Sequence, residues 1–393
     1  MRPNLWILTA LVVAVLVVLI VLMPSGDAMH TDADPMDVVG LALHATCVVR
    51  ETVRGLNEHV RPRTIYIITK SDCDTLRTFA SNVVCLLEES VIPGVNKAGV
   101  AHHLEERMKG LDADSTFKGR SLSGWYFQQL LKLGVSRHID QLSSLFLLWD
   151  MDMIPVRPLT LFQKRGHAEQ LPHKAVDADL HSGLHTQRLL LQIGGSVVKD
   201  YEPSYERLFD GSKVSYAPDG SSLVVHHMLI YKPIMHELIR HLDDVDVHSW
   251  RIRNGTSLPI RKRAVRSEAA SVTGKQPPLS FMPSWSTTII ESANERELTT
   301  GFSEYTTYAS YALQKHPRLY ATASTCTWRR TPYLYELSAR IRKYILFDAR
   351  GPCCPTAAWL LLHRWLGFEF IGYEIGHRAE ICRFDPQQPN YGL

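Results

Sequence analysis

Leu145-Phe146-Leu147-Leu148-Trp149-Asp150-Met151-Asp152-Met153-Ile154-Pro155 is the stretch that decides the fold. Its first five residues are apolar, the pattern of a strand covered on both faces. The strand runs straight into two carboxylates at i and i+2. In open α/β sheets, ligands sit at the carboxyl ends of strands. Hard oxygen ligands at such an end suit a divalent metal carrying a diphosphate. The alternative is a solvated acidic turn. The apolar run before the pair and Met153-Ile154-Pro155 after it argue against that.

Working outward, Asp37 to Ala42 reads as a first buried strand. Residues 46–60 read as a helix, with Val49, Val53, Leu56 and Val60 at helical spacing and Pro62 beyond its end. Thr64 to Thr69 and Val83 to Leu87 are further strand candidates. Strand, helix and strand in this order predict an α/β domain with a largely parallel sheet. Pro93-Gly94 reads as a turn, and Leu122 to Gly134 as a helix that Gly134 caps. Residues 160–222 alternate short apolar runs with polar turns and fix no strands. Ser222 to Met228 reads as a strand ending in paired histidines, followed by a helix over Pro233 to Leu242. Further expectations are helices over 303–314 and 331–345 and a late strand from Phe368 to Glu374. Residues 251–278 hold seven Lys and Arg with scattered Pro and Gly and no apolar period. They read as an exposed basic insertion rather than a polyanion site.

The chain has 393 residues, 45 % apolar and 21 % charged, which excludes disordered, collagenous and coiled-coil classes. Lys+Arg number 43 against 40 Asp+Glu, an excess too small to point to nucleic acid. Seven cysteines without a CxxC pair exclude a zinc ribbon and a disulfide-built scaffold, and leave the pairing open. Leu5 to Met23 carries no charge. Its 19 residues would span roughly 28 Å, close to the hydrocarbon core. Arg2 precedes it, and Asp27, Asp32 and Asp34 follow. The positive-inside tendency then leaves residues 1–4 in the cytosol. A cleaved signal peptide is the alternative, but the run is long and Pro24 to Ala28 makes a poor cleavage site. The expectation is a single-pass type II membrane protein of the Golgi or ER. It has a signal anchor at 5–23, a stem at 24–35 and a luminal body at 36–393. Asn254-Gly255-Thr256, the only glycosylation sequon, agrees with that topology.

Four segments carry a resemblance. They are Gly124-Trp125-Tyr126-Phe127-Gln128-Gln129-Leu130-Leu131-Lys132-Leu133, Leu147 to Pro155, Val225-His226-His227-Met228, and Phe302-Ser303-Glu304-Tyr305-Thr306-Thr307-Tyr308-Ala309. In order and spacing, over roughly residues 36–375, the chain resembles a family of GT-A-fold nucleotide-diphospho-sugar transferases with a D-x-D motif. The resemblance implies a Rossmann-like mixed sheet flanked by helices. It also implies a nucleotide-sugar donor, a glycan, glycoprotein or glycolipid acceptor, and Mn²⁺ or Mg²⁺ as Lewis acid. Gly40, at a strand end that more often prepares a nucleotide pocket, and the basic insertion depart from the family pattern.

On this reading Asp152 ligates the metal directly, and Asp150 orients the ribose or reaches the metal through water. His226 or His227 supplies a further ligand; adjacent strand residues point oppositely, so only one of them can. Glu304 is either the general base or acceptor-binding group, or a carboxylate at the start of its helix. Gln128, Gln129 and Lys132 lie on the helix ahead of the metal strand. Lys132 either meets a donor phosphate or snorkels to solvent. Trp125 either stacks on a sugar or packs in the core. Two rival functions remain: a haloacid-dehalogenase-type phosphatase with Asp150 as nucleophile, and a non-catalytic lectin-like luminal protein.

Overall fold

The computed structural model describes residues 36–107, 116–117, 120–166, 184, 186–195, 197–247, 249, 282–293, 301–332 and 354–373. The first half contributes β1 (Asp37–Leu41), α1 (Cys47–His59), β2 (Ile65–Thr69), β3 (Val83–Leu87), α2 (Leu122–His138) and β4 (Leu145–Asp150). Then come β5 (Met153–Pro155), β6 (Phe162–Lys164), β7 (Gln187–Leu191), β8 (His227–Tyr231) and α3 (Lys232–Asp244). The last part adds α4 (Ser284–Ser292), α5 (Glu304–Lys315), β9 (Tyr320–Thr322), β10 (Trp328–Arg329), α6 (Ala357–Trp365) and β11 (Phe370–Gly372).

The main sheet has the order β8-β4-β1-β2-β3. β1 to β4 are mutually parallel, and β8 runs antiparallel against β4. β1, β2 and β8 are buried along nearly their whole length, as uninterrupted apolar runs require of a sheet covered on both faces. The strand order reverses between β1 and β4, where Leu41 pairs with Asp150. Two three-stranded sheets, β9-β7-β6 and β10-β11-β5, stand beyond. β5 begins directly after Asp152, so the second of these lies against the carboxyl end of β4.

Local chemistry sets the helix starts. Thr46 caps α1 by accepting the Val49 N–H at 3.2 Å, and Ser121 caps α2 by accepting that of Gly124 at 3.1 Å. α2 continues four residues beyond the expected stop at Gly134. The glycine serves close packing instead: a Cβ there would come within 2.3 Å of the Ile92 side chain. The expected strand over 222–228 is also corrected. Pairing starts only at His227, because His226 takes a left-handed backbone conformation (φ 63°) that breaks an extended run.

Disulfides join Cys47 to Cys354 and Cys73 to Cys85, pairings the sequence left open, and Cys326 is free. Among the described residues no helix is long and apolar enough to cross a membrane. The expected anchor at 5–23, the stem, the basic insertion with Asn254 and nearly all of the helix expected at 331–345 lie outside the described residues.

Candidate active site

Asp150 is the last residue of β4 and the centre of a buried polar cluster. Lys132, on the inner face of α2, donates from Nζ to Asp150 Oδ1 at 2.5 Å and to Glu304 Oε1 at 2.7 Å. The Tyr305 hydroxyl donates to the same Oδ1 at 3.0 Å, and the Lys132 ammonium sits 4.6 Å from the Tyr305 ring centroid. Asp150 Oδ2 meets His226 Nδ1 at 2.9 Å. The Asp150 N–H donates to the His226 carbonyl at 2.9 Å, so backbone and side chain fix the pair together.

Charge explains the cohesion. Burial disfavours the Lys132 ammonium, but the two carboxylates outweigh it and raise its pKa. Burial likewise opposes ionised Asp150, yet Lys132 and His226 hold its carboxyl well below the usual range. Glu304 moves the other way: burial and the charge of Asp150 raise its pKa against the pull of Lys132. Burial, with the neighbouring Asp150 and Glu304, pushes the Tyr305 hydroxyl far up, so it stays protonated and donates.

The paired histidines separate into two roles. His226 faces Asp150, with Trp328 edge-on at 5.3 Å between ring centroids. His227 is only 3 % exposed and packs between Trp149 and Phe370, at 5.1 and 4.7 Å. Burial lowers its pKa to about 4, so it is a neutral core side chain. The expectation that His227 could ligate the metal is therefore corrected.

The turn after β4 is fastened at several points. The Thr52 hydroxyl donates to the Met151 carbonyl at 3.1 Å, the Tyr373 N–H to that of Asp152 at 2.7 Å, and Trp149 Nε1 to that of Met153 at 2.7 Å. Met151 is buried over Gly40, where a Cβ would lie 2.3 Å from the Met151 sulfur. The glycine that departed from the family pattern thus makes room for the middle residue of the D-x-D turn.

The remaining expected residues fall as follows. Asp152 is half-buried beside this turn. Gln129 is buried, and its Oε1 accepts the Glu304 N–H at 3.2 Å, which ties α2 to the start of α5. Gln128 and Trp125 are half-buried, and Trp125 packs against the core. Glu304 is 3 % exposed and Lys132 9 % by side chain, so each is turned to the other rather than to solvent. The expected uses of Glu304 as a base at an acceptor and of Lys132 as a phosphate contact do not match this placement. Tyr305 was missed by the sequence reading. Its only signal was its place beside Glu304 in the fourth motif.

Asp150, Asp152 and His226 offer hard oxygens and an imidazole nitrogen, a donor set that suits Mn²⁺ or Mg²⁺ in kind. Asp150 and Glu304 share the single ammonium of Lys132, and Asp152 lies close enough to raise the Tyr305 pKa. Among the described residues, no three His, Cys, Asp or Glu side chains are already gathered as a metal cluster.

Fold and site together define an open α/β protein of Rossmann type in which β4, an inner strand beside β1, ends in a held carboxylate. Among solved structures, the chain is similar to mouse xyloside xylosyltransferase 1 in its apo form, with 8 % identity, 88 % of this chain and 99 % of that one covered, and a TM-score of 0.33. It is also similar to the galactosyltransferase LgtC with donor and acceptor sugar analogs (13 % identity, 57 % and 67 % covered, TM-score 0.30). A third is the bifunctional glycosyltransferase WbbM (10 % identity, 90 % and 47 % covered, TM-score 0.27). No protein-family model and no curated protein matches the chain.

Proposed function

We propose that the chain is a glycosyltransferase that moves a sugar from a nucleotide-diphosphate sugar to an acceptor hydroxyl. One observation carries the reading: Asp150 ends β4 opposite Leu41, where the strand order reverses, with Asp152 two residues on. Ligands of open α/β sheets bind at that kind of reversal. Lys132 and Tyr305 hold one Asp150 oxygen, so the other is aimed at His226 before any ligand arrives. Such preorganisation spares the site reorganisation during reaction. Glu304 acts as a positioning residue, fixing Lys132, and Gln129 positions Glu304. Asp150, Asp152 and His226 are the residues that would hold Mn²⁺ or Mg²⁺. When bound, that cation supplies Lewis-acid stabilisation of the diphosphate leaving group. The phosphatase alternative would place the D-x-D near the start of its domain, whereas β1, β2 and β3 all precede β4 in the chain.

The same proposal includes the type II topology, with residues 5–23 as anchor, the body in the Golgi or ER lumen, and a glycan, glycoprotein or glycolipid acceptor. The two disulfides support it, since such bonds persist in oxidising compartments.

The test is a panel of nucleotide sugars offered to the purified full-length chain, with and without Mn²⁺. One donor should be transferred or hydrolysed in a metal-dependent way. Asp152→Ala should lower that rate roughly 10²-fold or more, as loss of Lewis-acid stabilisation implies. Full activity after chelation would sink the metal-assisted reading, and binding of a glycan with turnover of no donor would favour the lectin-like alternative.

A further inference from the structure

α6 is apolar on both sides. Trp359 and Leu360 pack inward against the cluster of Cys47, Val48, Ile154, Val156, Ile371 and Tyr373. Ala358, Leu361, Leu362 and Trp365, at i, i+3, i+4 and i+7, form the outer stripe. Leu361, Trp365 and the following Leu366 are 44 %, 46 % and 41 % exposed. A contiguous apolar stripe left exposed on a helix marks a surface that meets a partner or a membrane.

The ties of α6 show which end of the fold this stripe occupies. Cys354, just before α6, is bonded to Cys47 at the start of α1. Arg364, near the end of α6, lies 3.7 Å from Glu58 near the end of α1. α6 therefore runs alongside α1, from the carboxyl end of β1 back to the amino end of the sheet. There the Met36 carbonyl accepts the Arg63 N–H at 2.9 Å, and Arg63 pairs with Asp37. The chain enters the body at this same end. Only residues 24–35 separate it from the apolar stretch at 5–23, and fully extended they reach at most about 40 Å. Arg54, Arg61, Arg63 and Arg364 are exposed around this end; Arg54 pairs with Glu51, Arg63 with Asp37 and Arg364 with Glu58, and Glu58 and Asp140 are exposed acids there.

We propose that Leu361, Trp365 and Leu366, with this arginine rim, dock the body on a lipid bilayer surface. The inference rests on the anchor reading of residues 5–23. An interfacial helix sinks its apolar face to the headgroup boundary, Trp favours that depth, and Arg stems snorkel back to the phosphates. The carboxyl end of β4, with Asp150, then faces away from the lipid.

The experiment places p-benzoylphenylalanine at position 361, 366 or 43 in the full-length chain, reconstituted in vesicles of phosphatidylcholine and phosphatidylserine. Leu43 is 46 % exposed at the opposite end of the sheet and serves as an equally apolar control. Resistance to an alkaline wash reads the anchor separately. Docking predicts a wash-resistant protein with lipid adducts at 361 and 366 about tenfold above those at 43, as expected of an interfacial helix. Leu361→Glu with Trp365→Glu should bring the adduct at 366 down to the level at 43 and leave wash resistance unchanged. A wash-resistant protein whose 361 and 366 probes join a second copy or another part of the chain, or give no more lipid adduct than 43, overturns the docking and leaves the anchor intact. A protein removed by the wash overturns the anchor reading and the docking with it.

Discussion

Lys132→Met should be the most damaging single change in the candidate site. The methionine fills the same space but removes the ammonium that Asp150 Oδ1 and Glu304 Oε1 share. Removing one partner of a buried ion pair typically costs about 3–5 kcal/mol, because an uncompensated charge stays behind. In a body of this size that lowers the melting temperature by about 4–7 °C. The loss should depend on pH. With Lys132 present, Asp150 is depressed and contributes stability above its unfolded pKa of about 3.9, lost as pH falls further. Without it, burial and mutual repulsion raise both carboxyls. A raised acid destabilises as pH climbs past its unfolded pKa, so the deficit should grow between pH 5 and pH 8. Adding Glu304→Gln removes one of the two charges and should recover about 1–3 kcal/mol, leaving Asp150 with Tyr305 and His226. Urea and thermal unfolding of the three proteins across that range measure this. Wild-type stability in Lys132→Met at pH 7, a deficit independent of pH, or no recovery in the double variant would refute the reasoning.

The paired histidines should part company. His226→Ala should impair donor turnover and cost about 1–3 kcal/mol, since it removes a hydrogen bond to ionised Asp150 and puts Ala in a left-handed conformation. His227→Ala should cost about 2–4 kcal/mol, as for a buried aromatic truncation. His227 is held near pKa 4, so it contributes a loss of stability as pH falls from about 6.5 toward 4, where the unfolded chain takes up the proton first. His227→Phe should remove that part of the acid sensitivity, read by unfolding at pH 7 and pH 5. Gly40→Ala should destabilise by about 1–3 kcal/mol through overlap with Met151 and lower turnover by shifting the D-x-D turn, and Met151→Ala should relieve both effects. If the body is luminal, intact microsomes should protect it from protease and Asn254 should carry a glycan; digestion from the cytosolic side would contradict the topology.

The sequence alone determined the parallel α/β core, because doubly covered strands such as Ile65–Thr69 and Leu145–Asp150 show as unbroken apolar runs. It also determined that Asp150 and Asp152 stand at a strand end, since the run stops at the first charge. Four ordered motifs marked Lys132, Gln129, His226 and Glu304 as belonging together, but not how. Tertiary structure alone decided that Lys132 bridges Asp150 and Glu304, residues 18 and 172 positions away from it. It alone sent His226 to the site and His227 to the core, because a left-handed residue breaks the strand alternation that the sequence reading assumed. The use of Gly40 and Gly134 was likewise hidden, since a missing Cβ leaves no pattern and its reason is the side chain of a distant neighbour. Pairing Cys47 with Cys354 across 307 positions was out of reach for the same reason: spacing along a chain carries no record of which surfaces meet when the sheet closes.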